Sequence, residues 1–239
     1  MAHSGAASRR KSEELIELGR VRVNDQIVTE LGYKVDPEKD RVYLDDRRLK
    51  LIKKHTYIAL NKPLGVVSTV KDEKGRDAVV DLIDEDIRLY PVGRLDIDTT
   101  GLLILTDDGA VTNKLIHPRY NIEKTYIATV EGTPNKRELS ILRKGFELDG
   151  EKFAPAKIKI LKSFEEDSII ETIISEGKNH QVKRMYDYIK HPVKKLKRIS
   201  IGEIQLGGLE LGNYRYLTDE EIQYLKSIKW EQLNLIIGK

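Results

Sequence analysis

The apolar residues of this chain fall in short clusters, none longer than a strand, divided by charged turns that carry glycine, asparagine or aspartate. Alternation over 124–131 (KTYIATVE) predicts a strand with one buried face. Valines alternating with polar residues predict a hairpin over 20–28, turning at Asn24-Asp25, and the pattern repeats over 41–44 and 47–49 around Asp45-Asp46. Apolar runs predict strands over 56–60, 66–70 and 102–106, with 61–65 (NKPLG) as a turn and 71–77 as a polar loop. Residues 88–92 and 197–206 read as extended, and 157–161 with 168–174 as a further hairpin.

Helices are predicted over 9–18 (capped by Ser8, stopped by Gly19), 110–117 (stopped by Pro118), 135–144 (ended by Gly145) and 179–190 (ended before Pro192). A last helix over 218–228 opens on the capping box Thr218-x-x-Glu221, and 79–83 is a short helical or extended piece. These elements predict an α+β chain. A helix with short strands occupies 1–52, and a mixed, mainly antiparallel sheet flanked by helices occupies 56–239.

Composition narrows the function classes. Of 239 residues, 39% are hydrophobic and 34% charged, so the surface is heavily charged. No apolar run is long enough to span a bilayer, and the first residues carry basic side chains but no signal-peptide core. The absence of cysteine removes disulfides, thiolate metal sites and cysteine nucleophiles, and fits a cytoplasmic location. No glycine-rich dinucleotide or P-loop motif is present.

The net charge of +3 hides clusters. Lys178, Lys183, Arg184, Lys190, Lys194, Lys195, Lys197 and Arg198 face one acid, Asp187, and Arg47, Arg48, Lys50, Lys53 and Lys54 face none. Arg9, Arg10 and Lys11 stand in a first helical turn, where the dipole disfavours cations and a phosphate would reverse that sign. Clustered positive charge at modest net charge marks a local polyanion site; a solvated lysine-rich face is the plain alternative.

The stretch GRLDIDTTGLLILTDDG, from Gly93 to Gly109, sets Arg94, Asp96 and Asp98 in a loop that feeds the 102–106 strand. Three readings compete. It is an ordinary turn, since Asp, Thr and Gly are turn residues. It is a calcium loop, since Asp96, Asp98, Thr100, Gly101 and Asp107 match EF-hand spacing; but position twelve is Asp, and Pro91 and Gly93 stand where an entering helix belongs. Or it presents a catalytic carboxylate.

Resemblance bears on the choice. ASRRKSEELIELGRVRVN resembles the S4 RNA-binding domain, although S4 domains usually open with a further helix that this sequence lacks, which implies a late start. GRLDIDTTGLLILTDDG resembles the catalytic motif of the RsuA/RluB-type ribosomal pseudouridine synthases; EKTYIATVEG and EGKNHQVKRMYDYIKHPVKKLKRISIG resemble their two later motifs, in order and at similar spacing.

The resemblance implies an S4-like RNA-binding domain over 1–52 and a pseudouridine synthase domain over 56–239. It implies Asp96 as the catalytic residue, Tyr126 as the active-site tyrosine, Lys183 as the basic partner of Asp96 and Leu196 as an apolar wall beside the base. Many members have arginine where this chain has Lys183. Arg94 is expected to favour the ionised form of Asp96 or to contact a phosphate, His180 to face phosphate or solvent, and Asp98 and Asp107 to be turn and capping residues.

Arg9, Arg10, Lys11, Arg20, Lys178, Asn179, Gln181 and Arg184 are the expected RNA contacts. The expected partner is ribosomal RNA or a pre-ribosomal particle, 23S in preference to 16S, met by a monomer with no cofactor, no metal and no membrane. The alternatives are a 16S-directed synthase and a non-enzymatic S4-type ribosome-assembly factor.

Overall fold

The computed structural model of the chain describes residues 1–52, 54–85 and 87–229; Lys53, one of the basic connector residues, lies outside the described residues. Two compact units are present, Met1–Thr56 with Asp107–Gly109, and Tyr57–Thr106 with Ala110 onward.

In the first unit, helix α1 (Arg9–Glu17) follows a single 3-10 turn at Ala2–Ser4. Ser8 Oγ accepts the Lys11 amide at 3.1 Å, and Gly19 takes the left-handed conformation (φ 67°) that ends the helix. Strands β1 (Val21–Val23), β2 (Gln26–Ile27), β3 (Val42–Leu44) and β4 (Arg47–Arg48) form an antiparallel sheet in the order β2-β1-β3-β4. Asn24, Asp45 and Asp46 adopt positive φ at the two hairpin turns, as Asn and Asp tolerate. Ala7, Leu15 and Val21 form a small core.

The second unit is built on a nine-stranded sheet. Its elements are β5 (Tyr57–Lys62), β6 (Tyr90–Pro91), β7 (Thr100–Thr106), α2 (Gly109–Ile116), β8 (Lys124–Glu131), α3 (Lys136–Lys144), β9 (Phe146–Leu148), β10 (Glu151–Phe153), β11 (Lys157–Ser163), β12 (Asp167–Ile174), α4 (Gln181–Tyr188), β13 (Val193–Ile201), β14 (Ile204–Gln205), β15 (Tyr214–Tyr216) and α5 (Asp219–Ser227). The main sheet runs β11-β12-β8-β13-β7-β5-β15, with β14 beside β13 and β6 beside β7, while β9 and β10 form a separate hairpin.

Both faces of the central strands are covered. Ile58, Leu60, Leu103 and Leu105 enter one core, and Tyr57, Ala59, Leu102 and Ile104 enter the other. That is why β5 and β7 read as unbroken apolar runs rather than alternating ones.

Among the described residues one pairing in the sheet is parallel, β13 with β7, and it lasts only from Lys197↔Thr100 to Arg198↔Gly101. The strands touch so closely there that a methyl group on Gly101 (φ 107°) would run into the Arg198 backbone. Beyond this seam the connection preceding β7 is free to leave the sheet, and it carries Asp96.

Several predicted elements differ. Asn61 and Lys62, expected in a turn, continue β5 and pair with Leu102 and Gly101. Asn61 Nδ2 donates to the Leu209 carbonyl, and Lys62 Nζ to the Pro63 and Thr99 carbonyls, while Asn61 Oδ1 is buried without a hydrogen-bond partner among the described residues. Residues 66–70, expected as a strand, make one isolated bridge, Val67↔Ala78; Ser68 turns inward to bind the Asp96 loop instead.

The 179–190 helix shortens to α4 because His180 and Lys190 have positive φ. The extended segment expected from 197 begins at Val193 and breaks at Gly202 into β13 and β14. The β9–β10 hairpin was missed, although Asp149-Gly150, both at positive φ, is the strongest short hairpin signal.

Candidate active site

The loop between β6 and β7 is pinned along its length. Ser68 Oγ donates to the Leu95 carbonyl at 2.8 Å and accepts the Leu95 amide at 3.1 Å. The Gly65 amide donates to the Ile97 carbonyl, and the Thr99 amide to the Asp96 carbonyl. Lys62, fully buried, closes the far end by donating to the Thr99 carbonyl at 3.1 Å. Burial pulls the Lys62 ammonium down to about 8, against the opposing pull of Asp96 and Asp98.

Helix α4 supplies the partner. Its entry is set by Gln181, 4% exposed, whose Oε1 accepts the Lys178 amide at 3.0 Å and whose Nε2 donates to Glu176 at 3.0 Å. Two residues on, Lys183 Nζ reaches Oδ2 of Asp96 at 3.1 Å and Oδ1 of Asp98 at 2.5 Å. Burial acts to lower the Lys183 pKa, but the hydrogen bonds it donates to Asp98 and Asp96 outweigh it and the pKa is raised. The hydrogen bond from Lys183 holds Asp98 below the usual carboxylate range. Asp98 is therefore more than the turn residue expected: it shares the ammonium with Asp96. His180 Nε2 stands 3.5 Å from the other Asp96 oxygen and is half exposed.

A cavity of 140 Å³ opens beside Asp96. Tyr126 from β8 and Leu196 from β13 line it, both buried. A cavity of roughly 150 Å³ holds a benzene ring, so the space suits one flat six-membered ring. Asp96 is the one carboxylate among the lining residues, against Arg94, Lys124, Lys178 and Arg198. Burial first and Arg198 second pull Lys124 down to about 8.

Arg198 was not expected in the site. The signal lies in its spacing: on a strand, the residue two beyond Leu196 shares its face. Its Nε donates to the Leu102 carbonyl at 2.8 Å and its Nη1 to the Tyr126 hydroxyl at 3.3 Å.

The structure thus brings Asp96, Lys183, Tyr126 and Leu196 together. Arg94 lines the cavity but is exposed, and Lys183, not Arg94, pairs with Asp96. Of the expected RNA contacts, Arg9, Arg10 and Asn179 are exposed. Lys11 pairs with Glu14 at 2.6 Å, and Arg20 makes a two-pronged ion pair with Asp45. Lys178 lies near Glu176, and Arg184 is held by Glu151 at 2.6 Å over the Phe153 ring. Gln181 differs from the exposed contact expected: it is buried at the cavity wall, and with both ends of its amide engaged it shapes the turn. The residues spaced like a calcium loop do not form one, because Thr100–Thr106 is a strand.

Comparison with known proteins places this geometry. The family model for RNA pseudouridylate synthase matches residues 56–188, and the S4 domain model matches residues 1–49. The ribosomal large subunit pseudouridine synthase B of Bacillus subtilis (strain 168) is 46% identical over 231 residues, covering 95% of this chain and 94% of that protein. An uncharacterized RNA pseudouridine synthase of Aquifex aeolicus (strain VF5) is 42% identical over 227 residues, covering 94% and 91%. A crystal structure of a pseudouridylate synthase superposes with TM-score 0.68 at 34% identity, over 94% of this chain and 96% of the other.

Fold and site together define an RNA-modifying isomerase that carries an S4 domain. More narrowly, the chain belongs to the RNA pseudouridine synthase family, and its activity is that of a pseudouridine synthase.

Proposed function

We propose that the chain converts one uridine of 23S ribosomal RNA to pseudouridine, with Asp96 as the catalytic residue. The observation that carries this is the placement of Asp96: it is the one carboxylate lining a ring-sized cavity, and it is hydrogen-bonded by a lysine from another element. The ribosomal RNA substrate is supported by the B. subtilis relative, a ribosomal large subunit pseudouridine synthase 46% identical to this chain over 231 residues.

The reaction breaks C1′–N1, rejoins C1′ to C5, and exchanges the C5 proton for one on N1. It involves no net oxidation. A stacked uridine must first be extruded, at a cost of a few kcal/mol. Tyr126 offers an aromatic face to the extruded base and Leu196 an apolar wall. Asp96 attacks C1′ or C6, or takes a ribose proton. Lys183 orients its carboxylate, and as a lysine it does so by a point charge rather than a fork.

Arg94, exposed at the cavity rim, is placed for a phosphate of the extruded nucleotide. The exposed Arg9 and Arg10 at the start of α1 would grip the RNA elsewhere. The protein works as a monomer in the cytoplasm, on free rRNA or an assembling particle.

The test is incubation with ribosomal RNA from a strain lacking this enzyme, followed by mapping of new pseudouridines. A new 23S site made by wild-type protein and not by Asp96→Asn is expected. A new site in 16S RNA alone would move the substrate assignment, and wild-type turnover by Asp96→Asn would overturn the catalytic one.

A further inference from the structure

Arg198 is only 3% exposed. Two of its three guanidinium nitrogens are accounted for by the Leu102 carbonyl and the Tyr126 hydroxyl. The third, Nη2, is buried and has no hydrogen-bond partner among the described residues. A buried charged donor without an acceptor is destabilising, and such a group in a native fold calls for an explanation.

Lys124 lines the same cavity and lies close enough to Arg198 to feel its charge. Lys124 Nζ donates to the Ile122 carbonyl at 3.1 Å, and among the described residues no ion pair joins either cation to a carboxylate. Asp96, the carboxylate of the cavity, is engaged by Lys183. Two cations therefore stand together at the cavity with their charge unbalanced.

A purely structural role for Arg198 explains Nε and Nη1, which tie β13 to β7 and β8. It explains neither the unpartnered Nη2 nor the second cation beside it.

We infer that Arg198, with Lys124 beside it, is a catalytic residue that donates from Nη2 to a carbonyl oxygen of the uracil and stabilises the negative charge the base acquires. This rests on reading the cavity as the uridine site with Asp96 as the reacting carboxylate.

The argument does not depend on the chemical route. If Asp96 bonds to C1′, the electron pair of C1′–N1 leaves with the base and spreads from N1 onto O2 and O4. If Asp96 instead removes the C2′ proton, the C2′–H pair becomes the ribose double bond and the same C1′–N1 pair leaves with the base. If Asp96 adds to C6, the C5–C6 π pair moves through C4 onto O4. In each case the base becomes an anion. When C5 has bonded to C1′ and lost its proton, N1 is protonated and the base is neutral again. Donors aimed at developing charge in a water-poor site favour the transition state over the ground state. The apolar and aromatic lining from Leu196 and Tyr126 argues for a base here, with phosphate left to the exposed Arg94.

The test compares RNA carrying uridine with RNA carrying 5-fluorouridine at the target position. Fluorine withdraws electrons and stabilises the same anion without help from the protein. Single-turnover consumption of the target nucleoside is followed by digestion and mass spectrometry, and RNA affinity is measured separately.

With uridine RNA, Arg198→Met is expected to slow consumption at least about a hundredfold, the scale of a lost oxyanion donor, with affinity within about threefold. With 5-fluorouridine RNA the loss should shrink to about tenfold or less. Equal losses on both substrates would show a structural role and overturn the inference. A loss confined to affinity would show a phosphate contact and also overturn it.

Lys124→Met leaves the Leu102 and Tyr126 bonds of Arg198 in place and decides the matter if Arg198→Met does not fold. Its loss must likewise be smaller with 5-fluorouridine, and no loss or an equal loss would overturn the inference. Asp96→Asn runs alongside. If it turns over like wild type, the reading of the cavity fails and this inference with it; if it is inactive while Arg198→Met and Lys124→Met are unimpaired, the inference alone fails.

Discussion

A methyl group on the α-carbon of Gly101 would collide with the carbonyl oxygen of Arg198 and come within 2.7 Å of its amide nitrogen. The neighbour is strand backbone, which cannot swing aside like a side-chain tip. Gly101 also holds φ at 107°, where side chains are strained. Gly101→Ala should therefore destabilise the protein by at least about 3 kcal/mol and part the β7–β13 seam. Urea unfolding checks the first effect, and loss of turnover in the still-folded fraction checks the second.

Lys183 is the second target. Removing its charge with Lys183→Met leaves Asp96 without its ammonium and should slow turnover by about a hundredfold or more. Lys183→Arg should retain turnover within about tenfold of wild type, since guanidinium restores the charge and can bond a carboxylate through two nitrogens. Initial rates on one rRNA fragment decide between charge and shape; equal damage from both substitutions would show that shape dominates.

Asp98→Asn removes one of the two carboxylates on that ammonium and leaves the Asp96 contact in place. Turnover should fall by no more than about tenfold, while the Lys183 pKa moves down because a bond that raises it is gone. Isotope-labelled lysine NMR would read that titration directly. An inactive Asp98→Asn protein that still binds RNA would transfer part of the chemistry to Asp98.

Lys62 gives a pH signature. Its ammonium is lowered from 10.5 to about 8 in the folded protein. Below about pH 8 both folded and unfolded chains carry the charge, so the burial penalty is felt in full. Between about 8 and 10.5 the folded chain sheds the proton first, and the contribution of this group to stability rises with pH. Measured by urea at about pH 7.5 and about pH 9.5, stability of wild type relative to Lys62→Met should shift in favour of wild type by on the order of 2 kcal/mol. A pH-independent difference would show that the charge does not feel its burial.

RNA binding should weaken steeply with salt, by at least about tenfold between 50 and 200 mM, through release of counterions from phosphates. Arg9→Ala and Arg10→Ala should each lower the slope of log affinity against log salt by about one. Arg20→Ala should change it less, because Asp45 already takes up that guanidinium. Filter binding across a salt series reads all three.

Much of this was legible in the residues. Period-two alternation found β8, side-chain caps located α1 and α5, and the Gly145 stop ended α3, because those cues act within one turn of chain. The motif containing Asp96 and the one containing Lys183 pointed to one site, which the fold assembles across 87 positions of sequence. What could not be read depends on tertiary company. Asn61 and Lys62 look like turn residues until the carbonyls of Leu209, Pro63 and Thr99 surround them. Ser68 looks like a strand residue until Leu95 arrives to share its hydroxyl. Gln181 looks like an RNA contact until Glu176 claims its amide. Arg198 looked like one more cation in a basic run until its burial, on the strand face it shares with Leu196, set it apart.

The bonds that pin the Asp96 loop leave it little room to rearrange when RNA arrives. With Asp96 as the proposed catalytic residue, adaptation then falls on the nucleic acid, which must unstack and bend to deliver its uridine to that carboxylate. Target choice becomes a matter of RNA pliancy as much as of sequence: uridines already loosened in a bulge or loop are the ones such a protein will modify fastest.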